Sequence, residues 1–545
     1  MTLIRGLPDT PVASPSPTDS RPSLSQTPDQ VASPEAPWKL DIRCKILKTV
    51  ITPKIGHLSN IVRHYLDISE VCIVPRAFAL GLLDTIGPCE NDPLHLGIGL
   101  CEIAGNISTN TRPEVLHEDR KSPTSNYFDL FLDKNLRWES IGIFCALVAS
   151  SAILLPPDSK LLAGFKSRDG LISDMVEASS SCMEICRKTG LISDIGALSI
   201  YQNLMVISQL YGDDDYRTRR QVNDLALATS ESGLYAKCTD ANYSPSVVEM
   251  RHCIFAASYS IDKMICVSSK RPPMISKLQL EWEDISDDTE MAFVDLSWPL
   301  KEPRYCAVLW VQLRYIVSSF NDEVYRMKVS PTDIESIIKR YSDIWDTIPD
   351  YLRCPSDDFD LDDILCNGYQ IRLLRTSIYL EYLCAKLWAY YELNKYDATF
   401  PLAREMMTAV LRIDLPEGRL TSQVPRGYFS IVALYGFAAA CILLREQVDI
   451  LSCSSDSKYP WGETIRSLTN FFTRLDFVIL RGGHSDGLKQ ARDNLARNFD
   501  AVLDRLGARA NKDKTVDQTP WPPSFDDISN YIILWVGAKD DILRL

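Results

Sequence analysis

The sequence predicts an all-α protein: a large, irregular multi-helix array preceded by a disordered N-terminal tail. Apolar residues recur at three- and four-residue spacings along most of the chain, as on the buried face of an amphipathic helix. Period-two alternation over six residues, which indicates a half-buried strand, is almost absent, and so are hairpin dipeptides between strand-like runs. These observations predict roughly sixteen to twenty helices, and the lack of a fixed-period repeat argues against a regular solenoid.

The chain divides into three predicted regions. Residues 1–38 are rich in proline, serine and threonine and are predicted to be disordered, because they carry too little apolar surface to offset chain entropy. Residues 39–508 are predicted to form the helical body, and residues 509–545 a linker with a short C-terminal segment. That segment mixes acidic and bulky apolar residues, which fits a last helix docked on the body and also fits an activation segment. Burial favours the docked helix.

Individual helices follow from local patterns in chain order. Residues 136–157 form a nearly all-apolar helix that is stopped by Pro156 and Pro157, and residues 174–190 form a helix with Gly190 at its C-cap. Other helical patterns cover residues 79–87, 94–107, 199–212, 219–235, 304–320, 330–349, 371–393, 401–413 and 486–507. Polar stretches interrupt them, with a loop predicted at 106–126, an acidic run within 276–302 and a linker at 509–524.

Net charge argues against direct binding of nucleic acid, and the lengths of the apolar runs argue against a membrane-spanning helix. The formal net charge is −14, and an acidic surface repels a phosphate backbone, so the chain as a whole is not predicted to bind nucleic acid directly. Arg217, Arg219 and Arg220 follow three aspartates and are predicted to lie in a solvated, mixed-charge turn. The apolar runs 141–155 and 429–444 are shorter than the roughly 20 residues that span a bilayer, so they are predicted to be core helices without a membrane.

Cysteines and histidines give no metal-site pattern. The 16 cysteines are scattered without a C-x-x-C pair, and with no secretory signal they are predicted to be reduced and to pack as small hydrophobes. His57 and His64 are seven residues apart and could share a helix face, but two ordinary histidines are the favoured interpretation. No nucleotide-binding glycine motif or nucleophile elbow occurs. We therefore predict no cofactor for this chain.

A helical magnesium-dependent enzyme of the isoprenoid or terpene type stays open as an alternative. Asn223, Asp224 and Glu231 have the spacing of the second magnesium motif of that class, but Leu227 stands where a hydroxyl ligand is needed. The aspartate-rich partner should lie well upstream, whereas the remaining acidic cluster begins downstream at Asp357. Carboxylates bind magnesium only where they converge, so a solvated helix face is the favoured interpretation.

The most patterned stretch of the chain runs from Glu249 to Ile275. On a helix, Arg251, Phe255, Tyr259 and Asp262 fall on one stripe, because they follow each other at spacings of four, four and three. Asp262 would be costly to bury alone. We predict that the loop stiffened by Pro272 and Pro273 returns, so that Arg271 pairs with Asp262 and fixes a helix–loop corner.

This stretch resembles the signature of the fungal-specific transcription factor domain, also called the middle homology region. The residues that match that pattern in register are Glu249, Arg251, Phe255, Tyr259, Asp262, Arg271, Pro272 and Ile275, and Lys263 replaces an arginine conservatively. His252, Cys253, Ala256 and Lys270 depart from the pattern. The upstream run 200–235 also resembles the helical pair of that family.

The resemblance implies an all-helical regulatory region of a nuclear transcription regulator, in a family whose zinc binuclear cluster reads DNA. That cluster needs six closely spaced cysteines, but the first two cysteines here are Cys44 and Cys72. Either a cluster that binds zinc lies upstream of this chain, or the protein regulates without a DNA-binding module of its own.

The predicted function is therefore transcription regulation rather than catalysis. We expect control of target genes, such as those of a metabolic or secondary-metabolite pathway, from the nucleus with shuttling to the cytoplasm. The expected partners are the transcription machinery or co-regulator proteins, with homodimerisation open and DNA contacted only indirectly or through a zinc cluster. Besides the magnesium-dependent enzyme, the alternative is a cytosolic helical scaffold or a co-regulator that does not bind DNA.

Overall fold

The computed structural model of the 545-residue chain describes fifteen main ranges and ten further residues. The ranges are 37–50, 55–68, 72–86, 99–119, 127–155, 158–190, 192–211, 215–236, 245–269, 272–276, 368–392, 395–413, 431–452, 461–482 and 486–510. The further residues are 318, 335, 336, 338, 339, 342, 343, 345, 346 and 428.

The described residues are 88% helical, contain no strand and form fifteen α-helices, which confirms the predicted all-α class. The helices are α1 Pro37–Val50, α2 Ile55–Ile68, α3 Arg76–Ile86, α4 Leu100–Asn110, α5 Pro113–Asp119, α6 Trp138–Leu154, α7 Arg168–Thr189, α8 Asp194–Tyr211, α9 Tyr216–Glu231, α10 Pro245–Ser269, α11 Gly368–Glu392, α12 Tyr396–Arg412, α13 Phe437–Ser452, α14 Trp461–Gly482 and α15 Asp486–Ala510. Short 3₁₀ segments lie at Tyr127–Phe131, Asp133–Asn135 and Lys160–Leu162, and a π-helix lies at Ile431–Gly436.

The first hydrophobic core is built from α1 to α10, with α6 at its centre. Helices α7, α8, α2 and α3 all pack against α6, and every residue from Trp138 to Ala152 is buried. A helix that is apolar on all sides must be covered on all sides, so the nearly continuous apolar run of α6 explains its central place. The helix ends at Leu154, as predicted from the two prolines that follow.

Helix α7 begins and ends with the caps that its sequence provides. The side chain of Ser167 accepts a hydrogen bond from the backbone N–H of Gly170, which satisfies one of the unpaired donors of the first turn. Gly190 follows the last turn with φ 70°, a left-handed conformation that glycine adopts without a Cβ penalty. The predicted C-cap at Gly190 is therefore confirmed.

Close packing of α6 against α7 and α8 leaves little space for a side chain at Gly142. A Cβ there would lie 2.6 Å from Cε of Met183 and 2.9 Å from Oγ of Ser199. We expect Gly142→Ala to lower the free energy of unfolding by about 1–3 kcal/mol, because a well-packed core resists an added methyl group. Urea denaturation followed by circular dichroism measures the change.

Gly105→Ala in α4 is the matched control for that substitution. A Cβ at Gly105 meets nothing within 4 Å, so alanine there is expected to stabilise the helix by about 0.5–1 kcal/mol through its higher helix propensity. If Gly142→Ala were as stable as Gly105→Ala, the three helices around Gly142 would not be packed as closely as described.

The second hydrophobic core is built from α11 to α15 and from the π-helix that precedes α13. Gly436 is the last residue of the π-helix and packs tightly against α14. A Cβ at Gly436 would lie 2.6 Å from the ring of Phe471 in α14. Arg474 of α14 donates to the carbonyl oxygens of Leu411, at 2.6 Å, and Ile413, so it caps the C-terminal end of α12.

Residues 431–444, the described part of the apolar run 429–444, lie in this second core. Within the described ranges, one helical segment, Ile431–Leu451, is long and apolar enough to cross a membrane, and 89% of its most apolar window is buried inside the protein. A buried core helix meets the same criteria of length and composition. The π-helix within the run was not predicted, since its apolar spacing does not distinguish it from an α-helix.

One predicted loop is wrong, and several predictions lie outside the described residues. The segment 106–126 was expected to be a loop, but it includes the last turn of α4 and the whole of α5. Pro113 occupies the first position of α5, where its fixed φ favours a helix, and Leu116 anchors the helix in the core. The predictions for residues 1–36, 277–317 and 511–545 concern residues that the structure does not describe.

Candidate functional site

Five of the residues that resemble the family signature lie in the part of α10 that is buried in the first core. Arg251, Phe255, Tyr259, Asp262 and Lys263 are all buried, and α10 packs against α8 and α9. The rings of Phe255 and Tyr259 stack with centroids 6.2 Å apart at an interplanar angle of 18°. The predicted stripe is therefore a core-facing surface of the helix.

Asp262 joins α10 to the segment that follows it. Its carboxylate, which is fully buried, accepts hydrogen bonds from the backbone N–H groups of Met274 at 3.0 Å and Ile275 at 2.9 Å. Pro272 and Pro273 have no N–H to offer, so Met274 is the first residue after them that can donate. The returning loop predicted from the sequence is thus present in residues 272–276.

Lys263 neutralises this corner. Its ammonium nitrogen lies 2.9 Å from Oδ2 of Asp262, donates to the carbonyl oxygen of Ile275 and sits 4.4 Å from the centroid of the Tyr259 ring. An ammonium group buried this deeply needs a counter-ion and hydrogen-bond acceptors to offset the loss of water. The sequence indicated only a conservative replacement of arginine at this position.

Arg251, at the other end of the stripe, binds a second buried carboxylate. Its guanidinium donates to Oδ1 of Asp194 at 2.5 Å and to the carbonyl oxygen of Gly233 at 2.7 Å. The hydroxyl of Tyr127 donates to the other carboxylate oxygen of Asp194 at 2.9 Å. This network joins the 3₁₀ segment at 127–131, the start of α8, the end of α9 and the first half of α10.

Local sequence explains why these groups face Arg251. Ser193 caps α8 by accepting from the backbone N–H of Gly196, so Asp194 falls in the first helical turn, where the helix dipole favours a negative charge. Gly233 has φ 64°, a left-handed conformation that ends α9 and turns the chain. The carbonyl oxygen at that turn is the one that Arg251 binds.

The two networks hold chain segments together. Each buried carboxylate accepts from a cation and from at least one neutral donor, so each unit is close to electrically neutral. Such geometry fixes the position of α10 against α8, α9 and residues 272–276. Removal of one member leaves an uncompensated buried charge, which is far more costly than loss of an exposed ion pair.

His252, which stands where the family pattern has an arginine, brings no second charge to this region at neutral pH. Burial, with a smaller contribution from the charge of Arg251, lowers the pKa of His252 to about 4. The imidazole is therefore neutral above that pH. The next residue, Cys253, is buried in α10 and also replaces an arginine of the pattern.

Glu139 is a third buried carboxyl group, located in the first turn of α6. Cys186 donates to its Oε2 at a sulfur–oxygen distance of 3.6 Å, while Oε1 is buried without a hydrogen-bond partner. Burial raises the pKa of Glu139 to about 7, although the nearby charge of Arg137 acts in the opposite direction. The sequence signal was a single acidic residue within a nearly all-apolar helix.

The raised pKa makes the stability of the first core depend on pH. Glu139 stays protonated in the folded chain up to about pH 7, whereas its usual value is 4.5, so the unfolded chain loses this proton first. Its contribution to stability is therefore complete below pH 4.5 and is lost as the pH rises through 7. We expect Glu139→Gln to remove this dependence, gaining about 3 kcal/mol relative to the parent between pH 4.5 and pH 8.

Urea denaturation of both proteins at a series of pH values measures this gain. Glu102→Gln in α4 is the control, because that carboxylate is exposed and its substitution should change the stability little. A constant difference in stability between Glu139→Gln and the parent across the series would contradict the burial of an unpaired carboxyl group.

The residues of the magnesium alternative that the structure describes lie on the surface of α9. The carboxylate of Asp224 lies 2.5 Å from Nη2 of Arg187 and 4.0 Å from Nε of Arg220, so it is paired with arginines on the surface between α7 and α9. Asn223 and Glu231 are exposed, and Leu227 is 58% exposed. The acidic cluster that begins at Asp357 lies outside the described residues.

Metal ligands do not cluster in the parts of the chain that the structure describes. No group of three or more histidine, cysteine, aspartate or glutamate side chains is placed to hold a metal ion there. His57 and His64 are both exposed on α2, and the ring of His57 contacts that of Phe165 edge-on. The arginine run was predicted to lie in a solvated turn, but Arg217, Arg219 and Arg220 lie in the first turns of α9. The side chain of Arg217, which is 55% exposed, pairs with Asp215, the N-cap of that helix, whose side chain is 22% exposed.

The structure brings together most, but not all, of the predicted site residues. Arg271, the expected partner of Asp262, lies outside the described residues, and so does the side chain of Glu249, although its backbone belongs to α10. Asp194 and Tyr127 were missed, because nothing local relates them to Arg251. Asp194 carried one weak signal, its position directly after a serine that begins a helix.

Comparison with protein-family models finds no match to this chain, and comparisons with curated proteins and with solved structures find none either.

Proposed function

We propose that the chain is a transcription regulator of the fungal type, which controls target genes from the nucleus through its helical region. One observation carries the proposal. The aspartate and the final isoleucine of the stretch that resembles the family signature are 13 residues apart, and they meet in one buried corner through the bond from the Ile275 N–H to Asp262. A chance match of scattered residues would not be expected to build such a contact.

The two networks on α10 suggest how the region acts. Arg251 ties the helix to α8 and α9, while Asp262 and Lys263 tie it to residues 272–276. A helix held at both ends transmits a displacement at one end to the other, instead of bending. In this proposal α10 couples co-regulator or effector binding on the first core to the rest of the regulator.

A tethering experiment tests the proposal. The full chain is fused to an unrelated DNA-binding domain in fungal cells, and transcripts of a reporter gene carrying the cognate sites are measured. We expect a several-fold rise or fall of the reporter relative to the DNA-binding domain alone, together with nuclear location of the fusion. Asp262→Ala should abolish the effect, whereas Asp84→Ala, at an exposed ion pair, should preserve it.

Two outcomes would contradict the proposal. The first is an unchanged reporter in cells where the fusion is abundant, folded and nuclear. The second is robust magnesium-dependent release of pyrophosphate from isoprenoid diphosphates by the purified chain, which would favour the enzyme alternative.

A further inference from the structure

Cys44 and Cys101 bring two thiols together across the interface of α1 and α4. Their sulfur atoms lie 3.4 Å apart, although 57 residues separate them in the chain. A disulfide bond is about 2 Å long, so the sulfurs can reach bonding distance through small side-chain rotations. The two helices pack against each other, which keeps the thiols together in the folded chain.

The two thiols differ in their access to solvent. Cys44 is 8% exposed and faces the first core, whereas Cys101 is exposed in the first turn of α4. Among the cysteines that the structure describes, Cys101 alone has an exposed side chain. Five other cysteines are buried and so are shielded from solvent: Cys145, Cys182, Cys186, Cys253 and Cys441. Burial also raises the pKa of Cys72 to about 11, which disfavours its reactive thiolate form.

We propose that Cys44 and Cys101 are a redox modification site, at which a hydroperoxide converts the two thiols into a reversible disulfide. Cys101 is the residue that the oxidant reaches, and Cys44 is the residue that resolves the oxidised form. This inference does not depend on the proposed function in transcription.

The reaction balances in two steps. The sulfur of Cys101 attacks one oxygen of the hydroperoxide, the O–O bond breaks, and the second oxygen leaves as water or an alcohol after taking up a proton. The sulfur of Cys44 then attacks that of Cys101, the S–O bond breaks, and the hydroxyl leaves as water. Overall two thiols are oxidised, one hydroperoxide is reduced, and a dithiol reductant or glutathione reverses the change.

The cross-link would fix α1 to the first core. Helix α1 contacts α4 and α7, and Ile46, Leu47 and Val50 bury its apolar face. A disulfide between α1 and α4 closes a long loop and so restricts the unfolded chain. We expect slower amide hydrogen exchange in α1 after oxidation, and a return to the original rate after reduction.

Peptide mapping of the purified full-length chain tests the site. After treatment with hydrogen peroxide and digestion without reductant, we expect one new species in which the Cys44 and Cys101 peptides are joined, lighter by two hydrogen atoms than their sum. Labelling of Cys101 by iodoacetamide should fall by about tenfold and recover with dithiothreitol. Cys72→Ser should behave as the parent does.

The order of the two steps is tested with single variants. Cys44→Ser should leave a sulfenic acid on Cys101 that dimedone traps, while Cys101→Ser should yield no dimedone adduct on Cys44. Serine is nearly isosteric with cysteine, and circular dichroism before treatment identifies a variant that fails to fold. Unchanged labelling of Cys101 after peroxide, or a disulfide that joins Cys101 to a different cysteine, would overturn the proposal.

Discussion

Replacement of Asp262 by alanine is expected to lower the free energy of unfolding by about 3–5 kcal/mol. The change removes the carboxylate that pairs with the ammonium group of Lys263. Because Lys263 is 1% exposed, water cannot take the place of that carboxylate. It also removes the acceptor of the Met274 and Ile275 N–H groups. Urea denaturation of the purified chain, followed by circular dichroism, measures the loss.

Two further variants separate the buried charge from the other contacts of Asp262. Asp84→Ala removes an exposed carboxylate 3.2 Å from Arg63 and should cost about 0–1 kcal/mol. The double variant Asp262→Ala, Lys263→Met removes both charges and should recover part of the stability that Asp262→Ala loses. If Asp262→Ala cost no more than Asp84→Ala, the corner at residues 272–276 would not contribute as described.

Replacement of Arg251 by methionine is expected to cost a comparable amount, about 3–5 kcal/mol. Methionine fills much of the space of the arginine stem but cannot donate to Asp194, whose side chain is 1% exposed, or to the carbonyl oxygen of Gly233. A buried carboxylate then keeps only the hydroxyl of Tyr127 among the contacts described above. Amide hydrogen exchange should show the greatest loss of protection at the start of α8 and in α10.

The companion substitution for Arg251 is Asp194→Asn. In the double variant Arg251→Met, Asp194→Asn no charge is left buried at this position, so the double variant should be more stable than Arg251→Met alone. Arg445→Ala serves as the surface control, since Arg445 and Asp449 form an exposed pair and its loss should cost below about 1 kcal/mol. Equal losses for Arg251→Met and Arg445→Ala would contradict the network.

Features set by neighbouring residues could be predicted from the sequence. The end of α6 follows from two prolines, and the end of α7 from Gly190, because both depend on backbone geometry within one or two turns. Helix α5 was missed for the opposite reason. Its segment is polar, and the helix is held by burial of Leu116 in a core assembled from distant parts of the chain.

In the candidate site, too, features that depend on local spacing could be predicted, whereas contacts between distant residues could not. The stripe from Arg251 to Asp262 follows from helical spacing. The partner of Arg251 could not be predicted, because Asp194 is 57 residues away and a sequence pattern carries no distance between two helices. The role of Lys263 could not be predicted either. Its position next to Asp262 does not reveal that the two side chains together bind the backbone of residues 274 and 275.

The position of Arg251 in the chain has a consequence for biosynthesis. Ribosomes add about 5–20 residues per second, so roughly 3–11 s pass between the appearance of Asp194 and that of Arg251, 57 residues later. During that interval the nascent α8 carries a carboxylate whose counter-ion has not yet been made, and its burial beside Tyr127 is unfavourable. The amino-terminal half of the protein therefore cannot complete its folding until α10 has left the exit tunnel.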